Sequence, residues 1–295
     1  MITFGKFNLA DYADCVVVTD KTVSKHYNIE GENVCVLPVG ERSKTFATVQ
    51  KVCDFCLKRG LTRSGKIVTV GDVAGFAASV YKRGVNLLHV PTTLLAQVDS
   101  AIGGKTAVNL GKVKNACGTF YAADTLIDTD FLRTLPSKQI NNGFGEITKY
   151  RMISKQIDEA AGQGIDALIR SCVAFKDEIC KLDPTDTGKR RILNAGHTLG
   201  HALELVYRLP HGYAVVNGLY HELKITQKLG LCSDSYADRW RKIISEIVKI
   251  TDEVLLLTLQ DKKNTQSGNV CFVLPTDDGV KTVTLTKEDL QKIYA

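Results

Sequence analysis

Four of the six histidines in this 295-residue chain fall between positions 197 and 221. His197 and His201 stand four apart in Asn194-Ala195-Gly196-His197-Thr198-Leu199-Gly200-His201, which puts both imidazoles on one helix face. A glycine precedes each of them, and each glycine costs a helix roughly 1 kcal/mol. The room it leaves beside the ring must offset that cost. His211-Gly212 follows Pro210 at a bend. Three histidines gathered by a helix and a return turn, with one carboxylate, make a divalent-metal site. The competing reading is a set of core histidines bonded to carbonyls. His26, His89 and His221 lack such a context and read as structural.

Two further stretches carry charge in patterned form. In Gly143-Phe144-Gly145-Glu146-Ile147-Thr148-Lys149-Tyr150, Glu146 and Lys149 share a helix face. An ordinary surface pair of this kind contributes a few tenths of a kcal/mol, but Gly143 and Gly145 argue for close backbone approach instead. Asp99-Ser100-Ala101-Ile102-Gly103-Gly104-Lys105-Thr106 ends like a phosphate-binding loop, yet such a loop needs glycine where Asp99 stands, so the match fails. Lys105 can still present its ammonium to an oxyanion, and Lys114-Asn115 follows nine residues later. Cys53 and Cys56 form a CxxC on one face of a helical run, without a second CxxC for zinc. Core packing of reduced thiols is the plain reading for the nine cysteines.

These side chains need a scaffold, and the chain supplies two textures. The first half alternates short apolar runs (15–19, 34–37, 67–70, 87–90) with helical stretches (46–59, 73–82), the pattern of a parallel sheet covered on both faces. After Leu135-Pro136-Ser137 the 3.6-residue period dominates, with helices expected over 157–181, 190–207, 215–229 and 237–250 and a β-like run at 269–274. The expected fold is α/β: a Rossmann-like parallel-sheet domain over 1–136, then a mainly α-helical, metal-binding domain over 137–295. A cleft between two such domains is a usual place for a ligand. Thirty-eight Lys and Arg against 32 Asp and Glu give a net charge of +6, scattered without a basic arm. That excludes an ordinary nucleic-acid binder and suits a small anionic substrate. No apolar run reaches the roughly 18 residues of a membrane span. With acidic residues at 11 and 14 where a signal peptide is apolar, a cytoplasmic protein is expected.

Taken together, the chain from Cys15 to about Gly279 resembles 3-dehydroquinate synthase, a sugar-phosphate cyclase family. The closest stretches are Val90-Pro91-Thr92-Thr93-Leu94-Leu95-Ala96-Gln97-Val98-Asp99 with Gly103-Gly104-Lys105-Thr106, and Leu193-Asn194-Ala195-Gly196-His197-Thr198-Leu199-Gly200-His201-Ala202-Leu203-Glu204. The resemblance implies an NAD-binding domain followed by a helical zinc-binding one, with cobalt as a possible substitute metal. By motif position Glu146, His197 and His211 match the metal ligands, and His201 becomes a proton-relay histidine. Catalytic roles fall on Lys105, Lys149, Arg190, Asn194 and His201. Substrate contacts add Asp99, Lys114, Asn115, Lys176 and one of Lys262 and Lys263. Arg83 matches an arginine that reaches a neighbouring subunit's site, implying a homodimer. Nucleotide positions are matched by Asp20, Glu41, Lys44, Asp72, Thr92, Thr93, Asp99, Lys105, Lys114, Phe131, Thr134, Leu135 and Gln139.

The sequence also departs from that pattern. The family's Gly-Gly-Gly loop is missing where Lys66-Ile67-Val68-Thr69-Val70 runs straight into Gly71-Asp72. The strand pair that usually precedes Cys15 is absent. Tyr213 and Gln139 stand where the family has Glu. The implied activity is an NAD- and zinc-dependent lyase acting on a heptulosonate phosphate. The readings weighed against it are a lapsed ligand-binding relative without NAD, a cyclase making another carbocycle, and a polyol dehydrogenase.

Overall fold

The computed structural model describes residues 1–69, 71–111, 113–260, 265–266 and 269–294. They form two compact units, Met1–Pro136 and Ser137–Ala295. In chain order the first contains β1 (Ile2–Phe4), β2 (Val16–Asp20), α1 (Lys21–Tyr27), β3 (Val34–Leu37), α2 (Phe46–Lys58), β4 (Lys66–Thr69), α3 (Asp72–Val80), β5 (Asn86–His89), β6 (Lys105–Leu110), β7 (Val113–Phe120) and β8 (Asp124–Ile127). Six strands make one sheet in the order β1-β8-β5-β4-β2-β3, every pairing parallel. Alternate residues of each strand point to opposite faces. Val16, Val18 and Ile67 therefore pack with Val49 and Val52 of α2 and Ala74 and Ala77 of α3, while Val17, Val68 and Leu88 pack with Val23 of α1 and with Phe131. Two covered faces are why these strands read as unbroken apolar runs. Cys56 is fully buried in the first of these cores and Cys53 packs against it, and all nine cysteines are free thiols.

The chain leaves β2 toward β3 on one side, then returns to lay β4 against the other side of β2. This reversal is a topological switch point, and parallel sheets bind ligands outside the carboxyl ends of the strands that flank one. Asp20 at the end of β2 and Gly71-Asp72 after β4 stand there. The Gly104-Lys105-Thr106 stretch enters strand β6, not a helix, which is the structural reason it is no phosphate-binding loop.

The second unit contains α4 (Ser137–Ile153), α5 (Lys155–Ala160), α6 (Ile165–Leu182), α7 (His197–Tyr207), α8 (His211–Lys228), α9 (Asp234–Arg241), α10 (Asp252–Gln260), β9 (Thr265–Gln266), β10 (Asn269–Thr276), β11 (Gly279–Leu285) and α11 (Lys287–Tyr294). Its core joins Leu199 and Leu203 of α7 to Ile225, Val254, Phe272 and Leu290. Among the described residues no helix is long and apolar enough to cross a membrane.

Several expected helices are shorter than their periodicity suggests. The 157–181 run breaks at a turn that ends on Gly164 at φ 98°. The 190–207 run is a 3-10 turn, Lys189–Asn194, followed by α7 after Gly196 at φ 77°. The 237–250 run stops at Arg241 because residues beyond it bond elsewhere: Ile247 N–H donates to Asn217 Oδ1 at 2.8 Å. Before Cys15 the chain forms β1, which pairs with β8 at the sheet edge. The β6–β7 ribbon was not expected from the sequence at all.

Candidate active site

Three helices of the second unit carry the metal-ligand candidates, and glycines set how closely they approach. A Cβ on Gly145 of α4 would lie 2.2 Å from the Gly212 carbonyl oxygen, and one on Gly212 of α8 would lie 1.8 Å from the Asn142 carbonyl oxygen. A Cβ on Gly218 would lie 2.0 Å from the oxygen of Gly196, at the start of α7. All three distances are far inside van der Waals contact, so only glycine lets α4, α7 and α8 touch backbone to backbone. This is the gain that offsets glycine's cost in a helix.

The close approach draws Glu146, His197 and His211 together, with one ligand atom from each within 4.8 Å of the others. Glu146 Oε1 lies 2.9 Å from His211 Nε2 and 3.4 Å from His197 Nε2. The other ring nitrogens are occupied. His197 Nδ1 lies 3.1 Å from the Ala195 carbonyl, and His211 Nδ1 lies 3.1 Å from Glu204 Oε2. With Nδ1–H donating to such an acceptor, Nε2 is the nitrogen left to face a cation, directly in neutral His197 and after loss of its proton in His211. One carboxylate and two imidazoles aimed inward fit zinc or cobalt and leave coordination positions for a substrate. His201 sits beside this trio, its ring centroid 5.4 Å from that of His197, but supplies none of the convergent atoms.

Three neighbours hold the trio in place, and the sequence pattern does not single them out. Glu204 orients His211 as just described. Asn142 Oδ1 accepts the Gly212 N–H at 2.7 Å, capping the start of α8 where no local side chain does. Glu222, fully buried on α8, accepts the Gly196 N–H at 2.6 Å at the start of α7. Lys149 is buried against Glu146 and lies 4.4 Å from the Tyr150 ring centroid. Instead of a surface ion pair, Glu146 and Lys149 form a buried one.

Burial and charge divide the titrations. Burial opposes ionisation of Glu146, but Lys149, His197 and His211 hold its pKa well below the usual carboxylate range. Burial carries His197 down to about 4, so its ring is neutral. Burial also works against a charged His211, yet its hydrogen bonds to Glu146 and Glu204 prevail and carry it up to about 10. Glu222 is pushed well above its ordinary value by burial, against the pull of the Gly196 amide.

Among the other candidates in this unit, Lys176 on α6 and Arg190 in the Lys189–Asn194 turn are buried, while Asn194 is half-buried. Lys262 and Lys263 lie outside the described residues.

The first unit holds a second cluster at the sheet's switch point. Lys44 Nζ donates to Asp72 Oδ2 at 2.8 Å and to Asn115 Oδ1 at 2.6 Å. Asn109, not expected from the sequence, ties this group together. Its Nδ2 donates to Glu41 at 2.8 Å, and its Oδ1 accepts the Asn115 N–H at 2.8 Å. Asn115 adopts φ 53°, a left-handed conformation that asparagine tolerates. Helix α3 begins here without a side-chain cap, and Gly71 before it has open space on the side where a Cβ would sit. Uncapped amides at a helix start suit a pyrophosphate, so these residues fit a dinucleotide.

The remaining candidates are spread over several elements. Asp20 caps α1 through the Thr22 and Val23 amides. Thr93 Oγ1 accepts the Ala96 N–H, and Thr92 is buried. Asp99 lies in the short helical turn Ala96–Ser100. Phe131 is core, edge-on to Tyr27, whose hydroxyl meets Thr134 Oγ1 at 2.7 Å. The Leu135 N–H closes that turn on the Leu132 carbonyl. Lys105 begins β6 with its ammonium 5.8 Å from the Phe120 ring centroid, and Lys114 is exposed on β7. Arg83 is exposed at φ 65° in the turn after α3. Gln139 is exposed in the first turn of α4.

A parallel-sheet unit with an open helix start at its switch point, followed by a helical unit with a Glu-His-His trio, defines a two-unit metalloprotein class. Comparison with known proteins narrows it. Residues 34–142 match the family described as 3-dehydroquinate synthase N-terminal, and residues 143–264 match 3-dehydroquinate synthase C-terminal. The 3-dehydroquinate synthase of Alkaliphilus metalliredigens (strain QYMF) is 37% identical over 98% of this chain and 91% of its own. That of Nostoc punctiforme (strain ATCC 29133 / PCC 73102) is 38% identical over 91% of this chain and 85% of its own. A crystal structure of 2-deoxy-scyllo-inosose synthase complexed with carbaglucose-6-phosphate, NAD+ and Co2+ superposes with a TM-score of 0.82 at 26% identity, covering 99% of this chain and 95% of that one. The chain belongs to the 3-dehydroquinate synthase family.

Proposed function

We propose that this protein is a 3-dehydroquinate synthase, converting 3-deoxy-D-arabino-heptulosonate 7-phosphate to 3-dehydroquinate and phosphate in aromatic amino acid biosynthesis. The observation that carries the reading is the convergence of Glu146, His197 and His211 beside a buried Lys149 in a chain of this family. The reaction oxidises one carbinol, eliminates phosphate across the newly acidified C–H, reduces the ketone again, opens the ring and closes a carbocycle by an aldol step. Bound NAD would supply the hydride acceptor for the first step and the hydride for the later reduction, so the oxidation state balances over the cycle. Glu146, His197 and His211 would hold zinc, or cobalt in its place, and the ion would supply Lewis acidity toward the substrate hydroxyls.

The protein's own groups bind, orient and move protons. The substrate carries roughly −2.5 to −3 charges at neutral pH. Lys105, Lys114, Lys149, Lys176 and Arg190 answer that charge, with Asp99, Asn115, Asn194 and one of Lys262 and Lys263 fixing orientation. Lys149 lies against the metal-ligand carboxylate, where an ammonium can follow charge developing on a substrate oxygen. His201, beside His197, passes the protons of hydroxyl oxidation and ring opening. In this reading the unit 1–136 holds NAD, with the start of α3, Glu41, Lys44 and Asp72 as its main contacts, and the unit 137–295 holds metal and substrate. Arg83 would serve a second copy's site, making the working form a homodimer. A sugar phosphate is the substrate class, and the expected compartment is the cytoplasm.

The test is calorimetric titration of NAD into zinc-loaded protein, with and without a non-reactive phosphonate analogue of the substrate. One NAD per chain is expected, bound more tightly with the analogue. No NAD binding in either condition, by folded and zinc-loaded protein, would overturn the oxidoreductive mechanism.

A further inference from the structure

The segment Asp183-Pro184-Thr185-Asp186-Thr187-Gly188 joins α6 to the turn that carries Arg190, and one carboxylate organises it. Asp183 Oδ2 accepts the Gly188 N–H at 2.7 Å and the Arg190 N–H at 3.0 Å, while Oδ1 accepts the Thr187 N–H at 3.1 Å. Asp183 is buried although it lies between elements, with 7% of its surface exposed. The Arg190, Gly188 and Thr187 amides hold its carboxyl down to about 2, so it stays ionised throughout the physiological range. The arginine is gripped at its other end as well. Its Nη1 donates to the carbonyl of Pro184, the residue next to Asp183, at 3.1 Å, and 3% of Arg190 is exposed.

Main chain and guanidinium of Arg190 are thus both set by the same few residues. A long, rotamer-rich side chain loses much conformational entropy when it is fixed on an anion, and prior fixation removes that loss from the binding step. Simple loop closure would not require both ends of one buried arginine to be held. We propose that Asp183 is the positioning residue for Arg190 and, through it, for an anionic group of the substrate. The inference rests on the functional reading above only for the identity of the anion.

The experiment is a double-mutant cycle on the zinc-loaded protein, read as binding of the phosphonate analogue and of inorganic phosphate. Asp183→Asn replaces an ionised acceptor of three amides with a neutral group that has one acceptor oxygen. It should weaken both ligands by about tenfold or more. Arg190→Met should weaken them at least as much. In the Arg190→Met background, Asp183→Asn should change affinity less than about twofold, because the two act as one unit. Zinc affinity should stay the same in every variant, a readout that general loosening of the unit would move. Should Asp183→Asn fail to fold, Asp183→Glu, which keeps the charge but advances it by one methylene, is read in the same cycle.

Additive effects of the two substitutions, or loss of zinc affinity with loss of anion affinity, would overturn the inference in favour of a purely structural role. Anion binding insensitive to Asp183 overturns it alone. Wild-type protein that binds neither anion would overturn it together with the functional reading.

Discussion

Protonation of His211 in the metal-free protein tests the electrostatics of the trio quantitatively. Its ring lies between two carboxylates, Glu146 at 2.9 Å and Glu204 at 3.1 Å, and these hold its pKa near 10 against an ordinary value of 6.5. His197, 3.4 Å from the same Glu146 oxygen, is instead carried down to about 4 by burial. Two rings on one carboxylate should therefore titrate on opposite sides of the ordinary imidazole value. A folded-state pKa above the unfolded one stabilises the metal-free fold fully below pH 6.5, and that stabilisation is lost as pH rises toward 10. A metal must displace the His211 proton, so below pH 10 its affinity gains about tenfold per pH unit from this group, or about 1.4 kcal/mol. The assay is NMR of imidazole 13C and 15N shifts in metal-free protein between pH 5 and 10, with His211 assigned from the spectrum of a His211→Gln variant. His211 should remain an imidazolium from pH 6 to 9 while His197 remains neutral. Glu204→Gln should lower the His211 midpoint. A His211 midpoint within one unit of 6.5, or one that Glu204→Gln leaves unmoved, would refute this account of the site.

Three further outcomes follow from the same geometry. Lys149→Met leaves Glu146 buried without its ammonium partner, so the metal-free protein should lose about 3 kcal/mol in urea unfolding and regain most of it with saturating zinc. Gly212→Ala places a Cβ 1.8 Å from the Asn142 carbonyl oxygen, where backbone meets backbone. It should cost about 3 kcal/mol or more and weaken zinc binding through the adjacent His211, as urea midpoints and zinc titration would register. Burial carries Cys56 up to about 12 and raises Cys53 too. Cys53 and Cys56 of the native protein should therefore react slowly with thiol reagents at pH 8, as peptide mapping would register, and turnover should not change on adding dithiothreitol.

The sheet was legible because strands covered on both faces must be apolar throughout, as Val16-Val17-Val18 is. The chemistry-bearing residues were legible as types and spacings, and the glycines around them as an unexplained cost to helices. What that cost obtains appeared only when Gly145, Gly212 and Gly218 were seen against backbone from other helices. Residues that act across long sequence separations left no local signal. Asn142 reaches 70 residues to Gly212, and Glu222 reaches 26 back to Gly196. Helix ends were misjudged where a tertiary bond competed with periodicity, as Asn217 does for Ile247. The β6–β7 ribbon was hidden because β7 is largely exposed, with polar and glycine residues that lack an apolar alternation. Periodicity could not say which of three histidines faces a carboxylate. The ring nitrogens do, since Nδ1 of His197 and of His211 is engaged and both Nε2 atoms face Glu146.

The central claim is that a protein with this trio and the Lys149 ammonium beside it eliminates phosphate from a heptulosonate phosphate. The most direct measurement supplies zinc-loaded protein with NAD and 3-deoxy-D-arabino-heptulosonate 7-phosphate, and follows free phosphate and 3-dehydroquinate together. The account predicts equal amounts of the two products, arrest on chelation, recovery with zinc or cobalt, and loss with Glu146→Gln. Folded, zinc-loaded protein that releases no phosphate while NAD is bound would contradict it.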